Sequence, residues 1–133
     1  EILAVDSDPY LLERARKGCY QYGTLKELPE ELIKRCFSKK GDGYCLHNEY
    51  RRPVKFKLQD IRYSMPEETF DLVLCRNLVA TYYTDSLQRR ILEDIAGHIK
   101  KGGYLVLGKK EKFDTLPDNL EIRKQHERIF QRL

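Results

Sequence analysis

Asp6 is the first residue whose position suggests chemistry, because it directly follows the short apolar segment that opens the sequence. A carboxylate at the tip of a strand, beside the start of a helix, is well placed to accept hydrogen bonds from both hydroxyls of a ribose. An Asx turn is the alternative, in which the Asp6 side chain binds nearby backbone and leads into a helix capped by Asp8. The residue type and its position leave both interpretations open.

Two further apolar segments are also followed by side chains that could bind a ligand. After the first of these, Asp60 could accept a hydrogen bond from the exocyclic amine of a base while Ile61 packs on its flat face. A local turn is at least as common for a loop aspartate. After the second, Arg76 and Asn77 would place hydrogen-bond donors over the open end of a sheet. The alternative is that Arg76 pairs with a surface carboxylate and that Asn77 forms a turn.

Tyr82 follows a few residues later and could contact a substrate, or it could pack beneath the next helix. Other sequence patterns of catalysis are missing. The sequence has neither a G-x-x-x-x-G-K-S/T phosphate loop nor a nucleophile elbow, and its three histidines stand apart from one another. The run Lys109 to Lys112 is typical of a solvated loop, and guidance of an anionic partner is the less favoured alternative.

Apolar strands that alternate with helices must position these side chains. The hydrophobic pattern predicts strands at 2–5, 44–49, 54–58, 70–75, 104–108, 120–124 and 128–133, and helices at 10–17, 28–37 and from 84 or 85 to 100. We expect Gly18 to end the first helix and Gly102-Gly103 to end the last. The alternation predicts an α/β fold with a mainly parallel sheet, a C-terminal antiparallel hairpin, and three strands (2–5, 70–75 and 104–108) buried on both faces. Ligands bind beyond the carboxyl ends of the strands in such sheets.

Composition indicates one globular domain in 133 residues, with 41% hydrophobic and 35% charged residues. The net charge of +4 is spread along the chain and gives no reason to expect a nucleic-acid or membrane partner. No apolar run reaches the roughly 18–20 residues of a membrane span. The cysteines form no C-x-x-C pair, so we expect four free thiols in a reducing cytoplasm, and no metal site, from Cys19, Cys36, Cys45 and Cys75.

Five segments resemble the CheR-type methyltransferases, in the same order and with matching spacing: ILAVDSDPYLLERARKG, LPEELIKRCF, VKFKLQDI, FDLVLCRNLVATYY and LQRRILEDIAGHIKKGGYLVLG. Those enzymes transfer a methyl group from S-adenosylmethionine to glutamate side chains of chemoreceptors. The block C-R-N-x-x-x-x-Y-Y followed by L-Q-x-x-I-L is the most specific part. The resemblance implies a Rossmann-like class I methyltransferase sheet.

The resemblance also implies roles for individual residues. Asp6 corresponds to the family's ribose-binding acid, and Asp60 and Ile61 correspond to the pair that flanks the adenine. Arg76 and Asn77 match an arginine–asparagine pair that contacts the cofactor.

Two further features of the family have counterparts in this sequence. Tyr82 matches a tyrosine that lines the methyl-transfer site. Residues 20–53 correspond to a small inserted antiparallel subdomain, which docks a receptor peptide in some members.

The sequence departs from the family pattern at its start and in two motifs, one of which is the family's Ile-Tyr-Phe, here Thr-Tyr-Tyr at 81–83. The family's first strand and its glycine-rich loop would precede residue 1, and its Gly-His-Ser-Glu motif is Gly-Lys-Lys-Glu at 108–111. We therefore expect residues 1–133 to form a single but incomplete domain whose central strand comes from another segment. In that arrangement the strands that begin near Ile2 and Phe70 do not pair with each other.

The resemblance implies a cytoplasmic, S-adenosylmethionine-dependent methyltransferase of chemotaxis that methylates a protein carboxylate. Its partner would be a protein acceptor such as a chemoreceptor-like signalling protein, with no nucleic acid and no membrane span. We expect residues 1–133 alone to be inactive. Two alternatives stay open: a degenerate methyltransferase fold that acts as a non-catalytic scaffold, and a methyltransferase of a small-molecule acceptor.

Overall fold

The computed structural model describes residues 1–76, 78, 84–113, 115–124 and 128–133. The chain divides into two compact units, Glu1–Asp60 and Ile61–Leu133, each of which has most of its residue contacts within itself. The first unit contains β1 (Ile2–Asp6), α1 (Pro9–Lys17), β2 (Cys19–Gln21), α2 (Tyr22–Leu25), α3 (Glu30–Cys36), β3 (Phe37–Lys40), β4 (Gly43–Leu46), α4 (Asn48–Arg51) and β5 (Val54–Leu58). The second contains β6 (Phe70–Cys75), α5 (Asp85–Gly97), β7 (Ile99–Leu107), β8 (Leu120–Lys124) and β9 (Ile129–Arg132).

The first unit contains a parallel pair of strands, β1 and β5. Asp6 lies opposite Leu58 at the carboxyl end of this pair. The helix α1 follows β1 after a short turn. The Asp8 side chain caps this helix by accepting a hydrogen bond from the Tyr10 backbone N–H at 2.8 Å. Gly18 ends the helix in the left-handed region at φ 62°, which a residue without Cβ adopts at little cost. Both predicted ends of α1 are confirmed.

A three-stranded antiparallel sheet in the order β2-β4-β3 lies within the first unit, where the resemblance implies an inserted subdomain. Residue Cys19 of β2 stands directly opposite Cys45 of β4, with the two Cα atoms 4.0 Å apart, and a disulfide joins them. The expectation of four free thiols is therefore wrong for these two residues. Their 26-residue separation hides the contact, because only the antiparallel pairing brings them together.

The strand β4 ends at Leu46, earlier than predicted, because α4 starts at Asn48.

The second unit is built on a four-stranded sheet in the order β6-β7-β9-β8. The pair β6–β7 is parallel, whereas β9 pairs antiparallel with both β7 and β8, which confirms the predicted C-terminal hairpin. The helix α5 contributes apolar side chains to the core of this unit, and its residues Ile91 and Leu92 are completely buried. They belong to one core with Leu105, Leu107 and Phe130 of the strands.

The long helix α5 is shorter than predicted, because it ends at Gly97 rather than at Gly102-Gly103. Ile99 has helical spacing from the apolar residues of α5, but it is the first residue of β7 and is 1% exposed. The helix ends here because His98 closes it: its backbone N–H and its Nδ1 both contact the Asp94 carbonyl, the latter at 2.7 Å.

Burial of β6 is also less complete than predicted. Val73 and Cys75 face the core, but Leu72 and Leu74 are 54% and 66% exposed. Successive side chains of a strand point to opposite faces, and only one face of β6 packs against the core of its unit. The strand β1 is likewise half-buried over most of its length rather than buried on both faces.

In the described part of the chain, β1 pairs only with β5 and β6 pairs only with β7. That residues 1–133 form one incomplete domain stays a prediction. None of the described helices combines the length and the apolar character that crossing a membrane requires.

Candidate functional site

Asp6 lies at the carboxyl end of β1 and is half-buried. Its Oδ1 accepts a hydrogen bond from the Asp8 backbone N–H at 2.8 Å, so the Asx turn considered from the sequence is present. This turn places the carboxylate at the tip of the strand, and it uses Oδ1. A carboxylate has a second oxygen, so the turn is compatible with binding of a hydroxyl.

The segment that carries Asp60 lies beside Asp6 in the first unit. The Gln59 backbone N–H donates to the Asp6 carbonyl oxygen at 3.0 Å, which extends the β1–β5 ladder by one residue beyond the strands. Asp60 follows directly and is half-buried. The parallel pairing thus brings two of the predicted site residues, Asp6 and Asp60, to the same edge of the same strand pair.

Two other predicted site residues belong to the second unit. Ile61 is half-buried and packs against the core of this unit. Arg76 directly follows β6 and is exposed. The remaining two, Asn77 and Tyr82, lie outside the described residues.

Glu111 is a buried charged residue that the sequence reasoning missed. It is 2% exposed, although the lysines at 109, 110 and 112 are exposed as expected of a solvated loop. Its Oε2 accepts from the Gly108 backbone N–H at 2.7 Å, and its Oε1 accepts from the Leu78 backbone N–H at 3.1 Å. The solvated-loop interpretation is therefore wrong for Glu111, because backbone donors make its burial possible. The one signal in the sequence is that the glycine and the glutamate of the family's Gly-His-Ser-Glu motif are both present.

The neighbouring Cys75 is buried at the end of β6 and has no disulfide partner, as predicted. Burial, with a smaller contribution from the negative charge of Glu111, raises the pKa of the Cys75 thiol from 9.0 to about 12. A thiol that stays protonated is a poor nucleophile. This residue therefore does not provide a covalent catalyst.

The described histidines have structural partners. His47 Nε2 lies 2.9 Å from the hydroxyl of Ser38, and the ring of His47 stacks on that of Tyr50. The ring of His98 binds the Asp94 carbonyl at the end of α5. In the described residues, neither arrangement is that of a base positioned by a carboxylate beside a nucleophile.

Comparisons with known proteins identify the family. A family model described as the CheR methyltransferase, SAM binding domain, matches residues 1–129. The chain is 36% identical over 111 residues to a chemotaxis protein methyltransferase of Listeria innocua, a match covering 84% of this chain and 42% of that protein. It is 35% identical over 127 residues to chemotaxis protein methyltransferase 1 of Pseudomonas aeruginosa, covering 92% and 45%. The chain thus spans less than half the length of these relatives.

A solved structure supports the fold. The crystal structure of the N-methyltransferase NodS from Bradyrhizobium japonicum WM9 aligns with a TM-score of 0.53 and 14% sequence identity, covering 98% of this chain and 70% of that one. The predicted Rossmann-like α/β class is confirmed by this likeness and by the strand pairing. S-adenosylmethionine (SAM) is the cofactor named for the matching family. Because that match extends over nearly all of the 133 residues, the chain belongs to the family of CheR methyltransferase SAM-binding domains.

Proposed function

We propose that this chain is the SAM-binding part of an enzyme that transfers a methyl group to a carboxylate side chain of another protein. The acceptor that the family favours is a chemoreceptor-like signalling protein. The observation that carries the proposal is the family match over residues 1–129. Relatives named chemotaxis protein methyltransferase support the protein acceptor.

The side chains of the first unit suit the adenosine part of SAM. Ribose hydroxyls and the exocyclic amine of adenine are hydrogen-bond donors, and carboxylates are acceptors. Asp6 is held at the tip of β1 by its bond from Asp8, and one carboxylate oxygen is enough for that bond. We assign Asp6 to the ribose hydroxyls and Asp60 to the adenine amine. Ile61 supplies an apolar contact for the face of the base.

Arg76, Asn77 and Tyr82 complete the proposed site. Arg76 follows β6 with an exposed side chain, where ligands of parallel sheets bind. We assign Arg76 and Asn77 to the cofactor through backbone and side chain. Tyr82 is assigned to orientation of the acceptor atom.

The chemistry that these residues must support is a displacement. When bound, SAM supplies a sulfonium methyl group that a carboxylate oxygen attacks in line, leaving S-adenosylhomocysteine and a methyl ester. The residues of the chain contribute mainly by holding the reactants in line, and such positioning supplies much of the acceleration. A carboxylate is already deprotonated near neutral pH, so the reaction needs no general base. The structural partners of His47 and His98 agree with this.

Calorimetric titration of S-adenosylhomocysteine into the full-length protein tests the role of Asp6. Asp6→Asn keeps an oxygen for the Asx turn but removes the charge. We expect S-adenosylhomocysteine to bind about tenfold more weakly to this variant, because the loss of one hydrogen bond to a charged group costs roughly 1.5 kcal/mol of binding free energy. Asp8→Asn is the matched control. It removes the same charge two residues away and keeps a good helix cap, so its affinity should equal that of the wild type. Equal affinity in Asp6→Asn and wild type would remove Asp6 from the site.

The wild-type titration tests the function itself. A full-length protein that bound no S-adenosylhomocysteine would contradict the proposal and favour a non-catalytic scaffold. The class of acceptor is tested by incubating the protein with methyl-labelled SAM and cell extract. A methyl ester on a protein releases labelled methanol in alkali, whereas an N-methyl group does not. Label that entered only small molecules would overturn the protein acceptor.

A further inference from the structure

The Glu111 side chain links two backbone segments that follow neighbouring parallel strands. Its Oε2 binds the N–H of Gly108, the residue after β7, at 2.7 Å. Its Oε1 binds the N–H of Leu78, which lies beyond the end of β6 and 33 residues away in sequence, at 3.1 Å. One carboxylate therefore joins the two chain segments that leave β6 and β7 at their carboxyl ends.

The location of these bonds makes them more than a local loop contact. Leu78 lies two residues after Arg76, which is assigned above to the cofactor. Glu111 is 2% exposed, so water does not compete effectively for its oxygens. Hydrogen bonds from backbone N–H groups to a buried carboxylate are roughly twice as strong as those between neutral groups. Loss of this acceptor would leave two backbone donors to find new partners.

We propose that Glu111 is a positioning residue for SAM, an inference that rests on the proposed function. By binding the Leu78 N–H, the carboxylate fixes the backbone at Leu78, two residues after Arg76. Its second bond, to Gly108, anchors this segment to the end of β7. Glu111 itself need not touch the cofactor.

Glu111→Gln is the variant that tests this role with the least change in shape. The amide keeps one acceptor oxygen but presents an NH₂ group to one of the two backbone N–H donors, so one of the two bonds is lost. In the full-length protein we expect the dissociation constant for S-adenosylhomocysteine and the KM for SAM to rise about tenfold, equivalent to about 1.4 kcal/mol. The kcat should change less than about twofold, because the reacting atoms are not contacted. Amide hydrogen exchange at Leu78 should become faster.

Glu93→Gln is the control for loss of charge. Glu93 is an exposed residue of α5 that pairs with Arg89 on the same helix, and its replacement should leave KM and exchange at Leu78 unchanged. Glu111→Asp is the second variant and keeps the charge. A side chain shorter by one methylene cannot reach both donors in the same backbone geometry, so its KM should rise as well.

The outcomes separate a positioning role from a merely structural one. A melting temperature that fell in both Glu111 variants, with KM for SAM and cofactor affinity unchanged, would overturn the inference. So would an unchanged exchange rate at Leu78 together with wild-type affinity. Wild-type protein that bound no S-adenosylhomocysteine would instead refute the proposed function, and the role assigned to Glu111 would fall with it.

Discussion

At the scale of single residues, the four cysteines occupy three different environments. Cys19 and Cys45 form a disulfide, Cys36 is a half-buried thiol, and Cys75 is a buried thiol. Burial raises the pKa of Cys75 to about 12, and the nearby carboxylate of Glu111 acts in the same direction. Because the thiolate is the reactive form, these environments predict different rates of modification.

Alkylation of the non-reduced native protein, followed by peptide mapping, should label Cys36 and leave Cys75 unlabelled near neutral pH. Labelling of Cys75 should increase only at strongly alkaline pH or after unfolding. Folding raises the pKa of the Cys75 thiol, so the protonated thiol stabilises the folded state fully below about pH 9. This stabilisation is lost as the pH rises toward about 12. Cys19 and Cys45 should be labelled only after reduction. Rapid labelling of either before reduction would show that the disulfide is absent.

The sequence allowed part of the candidate site to be predicted at this scale. The positions of Asp6, Asp60 and Arg76 after strands could be predicted because each follows an apolar segment, and their roles as ligand-binding residues rest on the rule that ligands bind there in parallel sheets. Glu111 could not be found in this way. It lies among lysines, and its burial depends on the N–H of Leu78, whose proximity only the folded chain reveals.

At the scale of elements, the start of β7 depends on close approach of two backbones. A Cβ atom on Gly103 would lie 2.8 Å from the Asp71 carbonyl oxygen and 2.9 Å from that of Lys100. The glycine therefore allows β6 and β7 to pair where the register is irregular, between Phe70 and Leu72. The sequence suggested that Gly102-Gly103 stopped a helix, whereas Gly103 lies within a strand.

Gly103→Ala should lower the free energy of unfolding by about 1–3 kcal/mol, because backbone must shift to admit the methyl group. Gly97→Ala is the control within the adjacent helix. A Cβ there meets nothing within 4 Å, so this substitution should leave stability unchanged or raise it by about 0.4–1 kcal/mol. Urea unfolding of both variants measures the difference. Equal stability of Gly103→Ala and wild type would refute the close approach.

Helix and strand types were predicted better than their boundaries. The pattern of α5 was clear, but Ile99 continues its apolar spacing and so extended the predicted helix. The end was set instead by the contacts of His98 with Asp94, and by Arg132, which donates to the carbonyls of Ala96, Gly97 and Ile99 from the far end of the chain. Hydrophobic periodicity does not report such long-range contacts.

At the scale of the whole molecule, the two units differ in how much core they contain. Among the described residues, buried hydrophobic side chains in the first unit are Leu12, Leu25 and Ile33, whereas the second has a cluster of ten around α5 and β7. Small units with little core commonly depend on a covalent link. The Cys19–Cys45 disulfide lies in the unit with the smaller core.

Reduction should therefore destabilise the first unit selectively. A native disulfide typically contributes about 2–4 kcal/mol, mainly by restricting the unfolded chain. Hydrogen exchange with and without reductant should show faster exchange in peptides from Glu1–Asp60 and little change in those from Ile61–Leu133. Uniform loss of protection in both units would show that they unfold together. No change in either would show that the disulfide adds nothing to stability.

The same disulfide turns residues 19–45 into a closed covalent ring that contains α2, α3 and the β3–β4 hairpin. The tip of that hairpin, at Gly41 and Asp42, is exposed, as sites of proteolytic nicking often are. A single cut there would open the ring without releasing a piece of the chain. The nicked protein would keep its mass on a non-reducing gel and separate into two bands only when thiol is added.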